Sequence, residues 1–466
     1  MVFSSLLFLF LYLPVVLLIY YVTPLRWRNG VLLVFNLIFY GWGEPVYIVI
    51  MFLSTVIDYT HGILVGRCKR RGDDRGVRLA VCSSVVFNLA LLFFFKYWDF
   101  VAGSLAAIGL PLMPILGLSL PIGISFYTFQ TMSYTIDVYR GDAPVQRNLI
   151  NFGTFVTLFP QLIAGPIIKY KELGDQIDHR DYPVERFASG IQTFAVGLGK
   201  KVLLANNLGQ LWDAYKALPA AELTTAGAWL GVIAFSLQIY FDFSGYSDMA
   251  VGLGRMLGFE FTRNFDYPYI SRSVTEFWRR WHISLGSWFR EYVYIPMGAT
   301  GCPGPGCASI CWWCGRHRHL ARRELEFPAV GALLRRAAHC GKAVAGAAHR
   351  AVARPAPARL RPVPGGGELG HLRRGGLLSA GALSGAMFGF AGGGAFDGAF
   401  FYYLRSYLPT LVLACAASTP LAAGLWRRLP ERVWKAALPV LLLCVLLLST
   451  AYLVDATYNP FLYFRF

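Results

Sequence analysis

Acidic side chains are scarce in this chain. Its 466 residues carry 26 Asp and Glu against 43 Lys and Arg, a formal charge of +17. Charged residues of both signs make up only 15% of the sequence, whereas hydrophobic ones make up 56% and mean hydropathy is +0.47. A water-soluble globule does not need so apolar a composition; several membrane spans do. Heptad repeats and internal duplications are also lacking, which removes coiled-coil and solenoid architectures. A basic segment and a small-residue cleavage site are missing around Val2–Val22, so this first apolar run reads as a retained membrane helix rather than a removed signal.

The excess of positive charge is concentrated in one place. Gly301–Arg374 holds 12 Arg and 1 Lys against 3 acids, +10 of the +17, together with 5 of the 9 Cys and 5 of the 8 His. Outside that window the charge no longer argues for a nucleic-acid partner. The remaining cysteines, Cys68, Cys82, Cys415 and Cys444, are scattered through apolar runs and read as small buried hydrophobes, not as a disulfide framework.

Apolar stretches follow the first span at about 31–57 (broken by Gly43-Glu44-Pro45), 78–97, 100–120, 121–138, 150–168, 187–207 and 225–258. They resume at about 377–401, 407–424 and 434–454. The pattern predicts an all-α, polytopic integral membrane protein of roughly nine to eleven spanning or half-spanning helices. Several runs carry Pro or Gly at mid-depth, among them Pro111, Pro114, Pro121 and Gly165-Pro166. Such breaks are tolerated only where protein or water satisfies the freed backbone groups, so the helices are expected to surround a tunnel. The basic connector Arg67–Arg71, with Arg75 and Arg78, belongs in the cytoplasm by the positive-inside rule, and Lys169, Lys171, Lys200 and Lys201 are assigned to the same side.

Three motifs carry chemistry. FPQLIAGPI at 159–167 is either a kinked structural helix or a cavity-lining break. YFDFSGYSDMAVG at 240–252 places Asp242, Ser244, Tyr246 and Asp248 in a deeply apolar setting, where they serve as interhelical hydrogen-bond glue or line a functional cavity. The third is NFDYPYISRSVTEFWRRWHISLGSWFREYVYIPMG at 264–298. Its apolar stripe, Phe277, Trp281, Leu285, Trp288 and Tyr292, predicts one amphipathic helix with Arg279, Arg280 and Glu276 mainly off the stripe. His282 is its sole histidine; imidazole titrates near neutrality and can take a proton from an attacking hydroxyl, although a lone histidine is often structural. Asp58 and His61, near the end of a span, read as structural.

These three motifs resemble the membrane-bound O-acyltransferase family, in particular its bacterial branch that includes the alginate O-acetyltransferase membrane subunit. The resemblance covers about residues 1–299 and resumes at about 377. It implies a bacterial inner-membrane enzyme with a tunnel that binds no cofactor and uses acetyl-CoA or a similar cytosolic thioester as donor. The acyl group goes to an extracytoplasmic polysaccharide, directly or through an extracytoplasmic acetyltransferase or secretion partner. Membrane lipid is expected around the chain, and nucleic acid is not. Within the motif, His282 matches the first of two characteristic family histidines. Asp242, Ser244, Tyr246 and Trp281 then belong to the tunnel wall, and Arg279 and Arg280 face the phosphates of coenzyme A or anchor at the interface. The second histidine, regarded as the catalytic one, lies in a Trp-His-Gly motif. No Trp-His-Gly occurs in this sequence.

The missing motif falls where the anomalous window stands, so the chain divides into residues 1–299, an Arg/Gly/Ala/Pro/Cys-rich stretch at 300–376, and apolar residues 377–466. Cys302, Cys307, Cys311, Cys314, His317 and His319 match no standard metal spacing. The Arg-rich remainder lacks the aromatic interleaving of a nucleic-acid arm. A shifted reading frame accounts for the window better. GC-rich codons for Arg316–Arg336, read one nucleotide later, spell an apolar segment containing Trp-His-Gly, its histidine straddling the codons of Ala321 and Arg322. Compensating frameshifts would leave the chain as translated without that histidine, and therefore inactive. A transporter or flippase, or a non-catalytic scaffold of a polysaccharide-modifying complex, is the alternative that broken helices and midplane polar groups also allow.

Overall fold

The computed structural model describes residues 1–110, 112–163, 165–219, 222–296, 383–390, 393–428 and 430–455. The anomalous stretch at 300–376, with its candidate metal ligands, lies outside them. Every regular element among the described residues is helical. A π-helical turn, Phe8–Tyr12, leads into α1 (Leu13–Val22), followed by α2 (Arg28–Gly43), α3 (Ile48–Arg71), α4 (Asp74–Lys96) and α5 (Trp98–Ala107). Next come α6 (Ile124–Arg140), α7 (Leu149–Thr157), the single turn α8 (Phe159–Leu162), α9 (Tyr170–Asp178) and α10 (Val184–Gly199). α10 passes into a π-helical segment, Lys200–Asn206, then α11 (Asn207–Ala217) and α12 (Thr225–Met256). The rest comprises α13 (Val274–Arg280), α14 (Ile283–Phe289), a π-helical turn Arg290–Tyr294, α15 (Gly398–Ala417), α16 (Leu421–Arg428) and α17 (Glu431–Asp455).

Four described helices, α3, α4, α12 and α17, are long and apolar enough to cross a membrane, and Phe8–Val22 is a shorter apolar helix. The 24 residues of α3 rise about 36 Å at 1.5 Å each, enough for a hydrocarbon core of about 30 Å. Leu443, Leu447 and Leu448 of α17 are more than half exposed, as expected of a lipid-facing surface and not of a wet one. The protein is a multi-pass membrane protein.

Local chemistry sets the helix ends. Gly72, in the left-handed region at φ 69°, closes α3, and the Asp73 carboxylate accepts from the Gly76 amide to open α4. That pair turns the chain within two residues. Asp397 likewise accepts from the Phe400 amide to start α15. α15 runs unbroken through Arg405, where the sequence suggested a gap between two spans; one long cationic side chain near a helix start can snorkel.

The chain forms two compact units, the first made of residues 1–198, 246–263 and 287–292, the second of 199–245, 264–286 and the described residues from 293 onward. In the first, α3 packs on α4, α6 and α7. Between α3 and α4 the fully buried Asp58 carboxylate accepts from Ser84 Oγ at 2.6 Å and from Asn88 Nδ2 at 2.8 and 3.0 Å. Such bonds join helices where no hydrophobic force can, so Asp58 is structural as read. α10 meets the last turns of α12 at Gly190 and Gly252: a Cβ at Gly252 would lie 2.6 Å from the Gly190 carbonyl oxygen. Tyr246 stacks on Phe3 at 4.4 Å within a cluster that includes Phe8, Phe39 and Phe159. The 159–167 motif is a buried kink, where Gln161 Nε2 donates to the Phe155 carbonyl at 2.6 Å and Asn36 accepts from the Phe159 amide at 3.0 Å.

The scattered cysteines differ from expectation. All four are free thiols, but Cys82, Cys415 and Cys444 are exposed, and Cys68 is half-buried. An apolar run in a membrane helix has an outward face as apolar as its inward one, so apolar context does not imply burial.

Candidate active site

The stretch 264–298 does not fold as one amphipathic helix. Ser273 caps α13, its Oγ accepting from the Glu276 amide at 3.1 Å, while Glu276 Oε2 accepts from the Arg272 amide at 2.9 Å. The helix then stops at Trp281, which is extended at φ −99°, ψ 125°. His282 follows at φ 49°, a left-handed value that a residue with a side chain adopts at a cost of about 1–2 kcal/mol. α14 restarts at Ile283. The apolar stripe is therefore not a single face, because a polar contact with a distant residue overrides the helical repeat.

That residue is Asn264. Its carbonyl oxygen accepts from the Ile283 amide at 2.9 Å. Its side-chain Oδ1 accepts from the Ser284 amide at 3.2 Å and from Ser284 Oγ at 2.9 Å. The same Oδ1 lies 3.1 Å from His282 Nδ1. Asn264, His282 and Ser284 are all buried. Phe243 of α12 sets its edge against the imidazole at 4.8 Å and 89°, and Phe265 lies beside it at 6.5 Å. Trp281 stacks on Phe277 at 5.6 Å and meets Phe265 edge-on at 5.1 Å. An aromatic setting of this kind limits water at the ring and strengthens whatever polar contact it makes.

Next to Phe243 on the same helix, Asp242 forms an ion pair with Lys201 at 2.7 Å, the two side chains 3% and 1% exposed. Lys201 Nζ also donates to Asn206 Oδ1 at 2.9 Å. Lys201 thus sits in a dry core on a π-helical segment, not in a solvated basic connector as the sequence suggested; π-helical turns recur at functional sites. Ser244 Oγ is buried and has no hydrogen-bond partner among the described residues.

The second unit brings together His282, Trp281, Asp242 and Ser244 from the residues singled out in the sequence, and adds Asn264 and Lys201. Tyr246 belongs to the first unit, in the aromatic cluster with Phe3. Arg280 is committed within the protein, to Glu276 at 3.0 Å and to Asp266 at 3.5 Å. Arg279, next to it, is exposed.

Residues 287–292 of the stretch belong to the first unit and rest on charge. Glu291 receives Lys169 at 2.7 Å on one oxygen and Lys171 at 2.8 Å on the other. Arg140 donates to the Glu291 carbonyl at 3.0 Å, and Tyr292 donates to Asp137 at 2.6 Å. Burial alone would raise the Glu291 carboxyl, but hydrogen bonds from Lys169 and Lys171 outweigh it and hold the group below the usual carboxylate range. Lys171 is raised in turn: burial works against it and Glu291 overcomes that. Lys169 is only 4% exposed, so it too is an interior group rather than a connector lysine.

Residues 142–304 match the model of the membrane-bound O-acyltransferase family. A probable alginate O-acetylase of Pseudomonas aeruginosa is 48% identical over 304 residues, covering 64% of this chain and 58% of the relative. A peptidoglycan O-acetyltransferase of Helicobacter pylori is 32% identical over 332 residues, 64% of this chain and 62% of the relative. A teichoic acid D-alanyltransferase of Bacillus subtilis is 28% identical over 221 residues, 46% of this chain and 53% of the relative. The chain spans about three fifths of the length of the first two. With the family match falling on the stretch that holds His282, this part of the chain is similar to the membrane-bound O-acyltransferase family.

Proposed function

We propose that this protein is built as an O-acyltransferase of the bacterial inner membrane, with nine to eleven spanning or half-spanning segments around a tunnel. It takes an acyl group, acetyl in the first instance, from a cytosolic thioester such as acetyl-CoA. It delivers that group to a hydroxyl of an extracytoplasmic polysaccharide such as alginate, directly or through an extracytoplasmic partner. The observation that carries this reading is the buried His282, hydrogen-bonded by Asn264 and ringed by aromatics, in the segment that matches the family. General-base help to a hydroxyl is worth typically 10²–10⁴-fold, and His282 takes part in that proton transfer. Asp242 and Ser244 belong to the same wall, while Arg279, exposed beside it, is free to meet the donor's phosphates.

A second reading is supported by a specific fact: the sequence has no Trp-His-Gly. Without that histidine the chain as translated is inactive, and it persists as a membrane scaffold of a polysaccharide-modifying complex unless the gene carries compensating frameshifts. Resequencing the locus between the codons of Gly298 and Leu378 and assaying acetyl-CoA-dependent transfer on membranes separates the two. We expect transfer from a chain whose frame restores Trp-His-Gly and none from the chain as it stands. An intact frame that cannot encode the motif removes the frameshift, and transfer by neither chain removes the enzyme.

A further inference from the structure

Which nitrogen of His282 carries its proton follows from the partners of one amide oxygen. The Ser284 backbone N–H donates and cannot accept, and it points at the Asn264 side chain at 3.2 Å. The atom it meets is therefore the amide oxygen, Oδ1, and not the NH2 group. The same oxygen lies 3.1 Å from His282 Nδ1. An amide oxygen has no proton to give, so Nδ1 must be the donor. We infer that Asn264 is a positioning residue that holds neutral His282 in its Nδ1–H tautomer and thereby makes Nε2 the basic nitrogen. Two features reinforce the assignment. The left-handed backbone at His282, φ 49°, aims the ring back at residue 264 instead of along the helix. Asn264 Oδ1 also accepts from the Ser284 amide and hydroxyl at the start of α14, so its side chain is fixed independently of the histidine.

The consequence for chemistry rests on the acyl transfer proposed above. The acceptor's O–H bond breaks as an Nε2–H bond forms, and its oxygen bonds to the acyl carbon. The C–S bond then breaks and the thiolate leaves with the proton. During that step the Nδ1–H bond to Asn264 shortens against a neutral oxygen, which steadies the imidazolium without fixing it as a permanent cation.

The test is 15N NMR of the full chain, labelled at histidine, in lipid nanodiscs, with the His282 signals identified by their loss in His282→Gln. We expect a pyrrole-type Nδ1 and a pyridine-type Nε2 in the wild type. Asn264→Asp keeps the acceptor and the cap, so it should retain the tautomer and move the titration midpoint of His282 to higher pH. Asn264→Ala should release the ring to the other tautomer or to a mixture. Ser284→Ala removes one donor from the same oxygen and should leave the tautomer alone. A wild-type Nε2–H form, or an unchanged tautomer in a folded Asn264→Ala variant, overturns the inference. Because the readout needs no turnover, its failure is distinguishable from failure of the acyltransferase reading.

Discussion

Residues 264–286 hold His282 with a neutral amide, whereas residues 287–292 are held by Lys169 and Lys171 converging on Glu291. A carboxylate in the place of Asn264 would favour imidazolium by one to three pKa units, and a histidine that must accept a proton is better served by a partner without charge. At Glu291 the requirement is mechanical, and charge suits it: one carboxylate gathers two lysines that would otherwise repel each other. On the proposed role of His282, the two ends of one motif would separate a group that changes its protonation from groups that keep theirs.

The largest test of that contrast is the ion pair beside Phe243. Replacing Lys201 by Met, or Asp242 by Ala, strands a buried charge and should cost about 3–5 kcal/mol, whereas the double replacement Lys201→Met with Asp242→Leu should recover most of it. Tryptophan-fluorescence unfolding in detergent reads this, and single variants as stable as the wild type would show the pair to be idle. Next comes His282→Gln in a chain carrying Trp-His-Gly. Transfer from acetyl-CoA should fall about 10²–10⁴-fold with the unfolding midpoint retained; full activity would leave the neutral end of the motif without a chemical role.

Glu291→Gln addresses the charged end. It leaves the buried Lys169 with Glu172 alone, at 3.2 Å, and should cost about 1–3 kcal/mol. The pH dependence has a definite sign. The Glu291 carboxyl is lowered in the folded protein, so its contribution is present above the ordinary glutamate value of about 4.3 and disappears as pH falls through the lower folded value. Lys171 is raised, so its contribution is present below about 10.4 and is lost as pH climbs through the higher folded value. The midpoint difference between wild type and Glu291→Gln should therefore hold steady at neutral pH and shrink progressively in acid below the ordinary glutamate value; a difference that does not shrink there would contradict the ion pairs. The smallest effect is expected from His282→Gly, where about 1 kcal/mol gained by relieving the left-handed backbone partly offsets the loss of a buried ring and its hydrogen bond, leaving a modest net destabilisation.

Much of this was legible in the sequence because a membrane imposes simple rules. Runs of apolar residues gave α2, α4, α6, α12 and α17 nearly at their observed bounds, and Gly43-Glu44-Pro45 marked the break between α2 and α3. α3 itself, however, continues from the expected end near 57 through the basic Arg67–Arg71, which form its last turns and not a connector. The break at Trp281–His282 was not legible, since Phe277, Trp281, Leu285 and Trp288 keep helical spacing across it. What interrupts the helix is Asn264, 18 residues away, and a contact of that separation leaves no local pattern. Lys201 was misplaced for a related reason: Lys200 and Lys201 together look like a connector. Only the packing of the π-helical segment Lys200–Asn206 shows that Lys201 turns inward to Asp242.

The length of α12 bounds the depth at which the buried imidazole beside it can sit. Its 32 residues extend about 48 Å, and helices tilt by at most about 40° in a hydrocarbon layer about 30 Å thick. At that limit the layer accommodates about 26 residues, so several must emerge into the wet interface, where Arg255 and its partner Glu260 belong. Asp242 is residue 18 of the 32, near the middle of the rod. With the rod centred in the layer, the imidazole that Phe243 borders would lie close to the bilayer midplane. On the acyl transfer proposed above, donor and acceptor would each have to reach halfway into the layer to meet it.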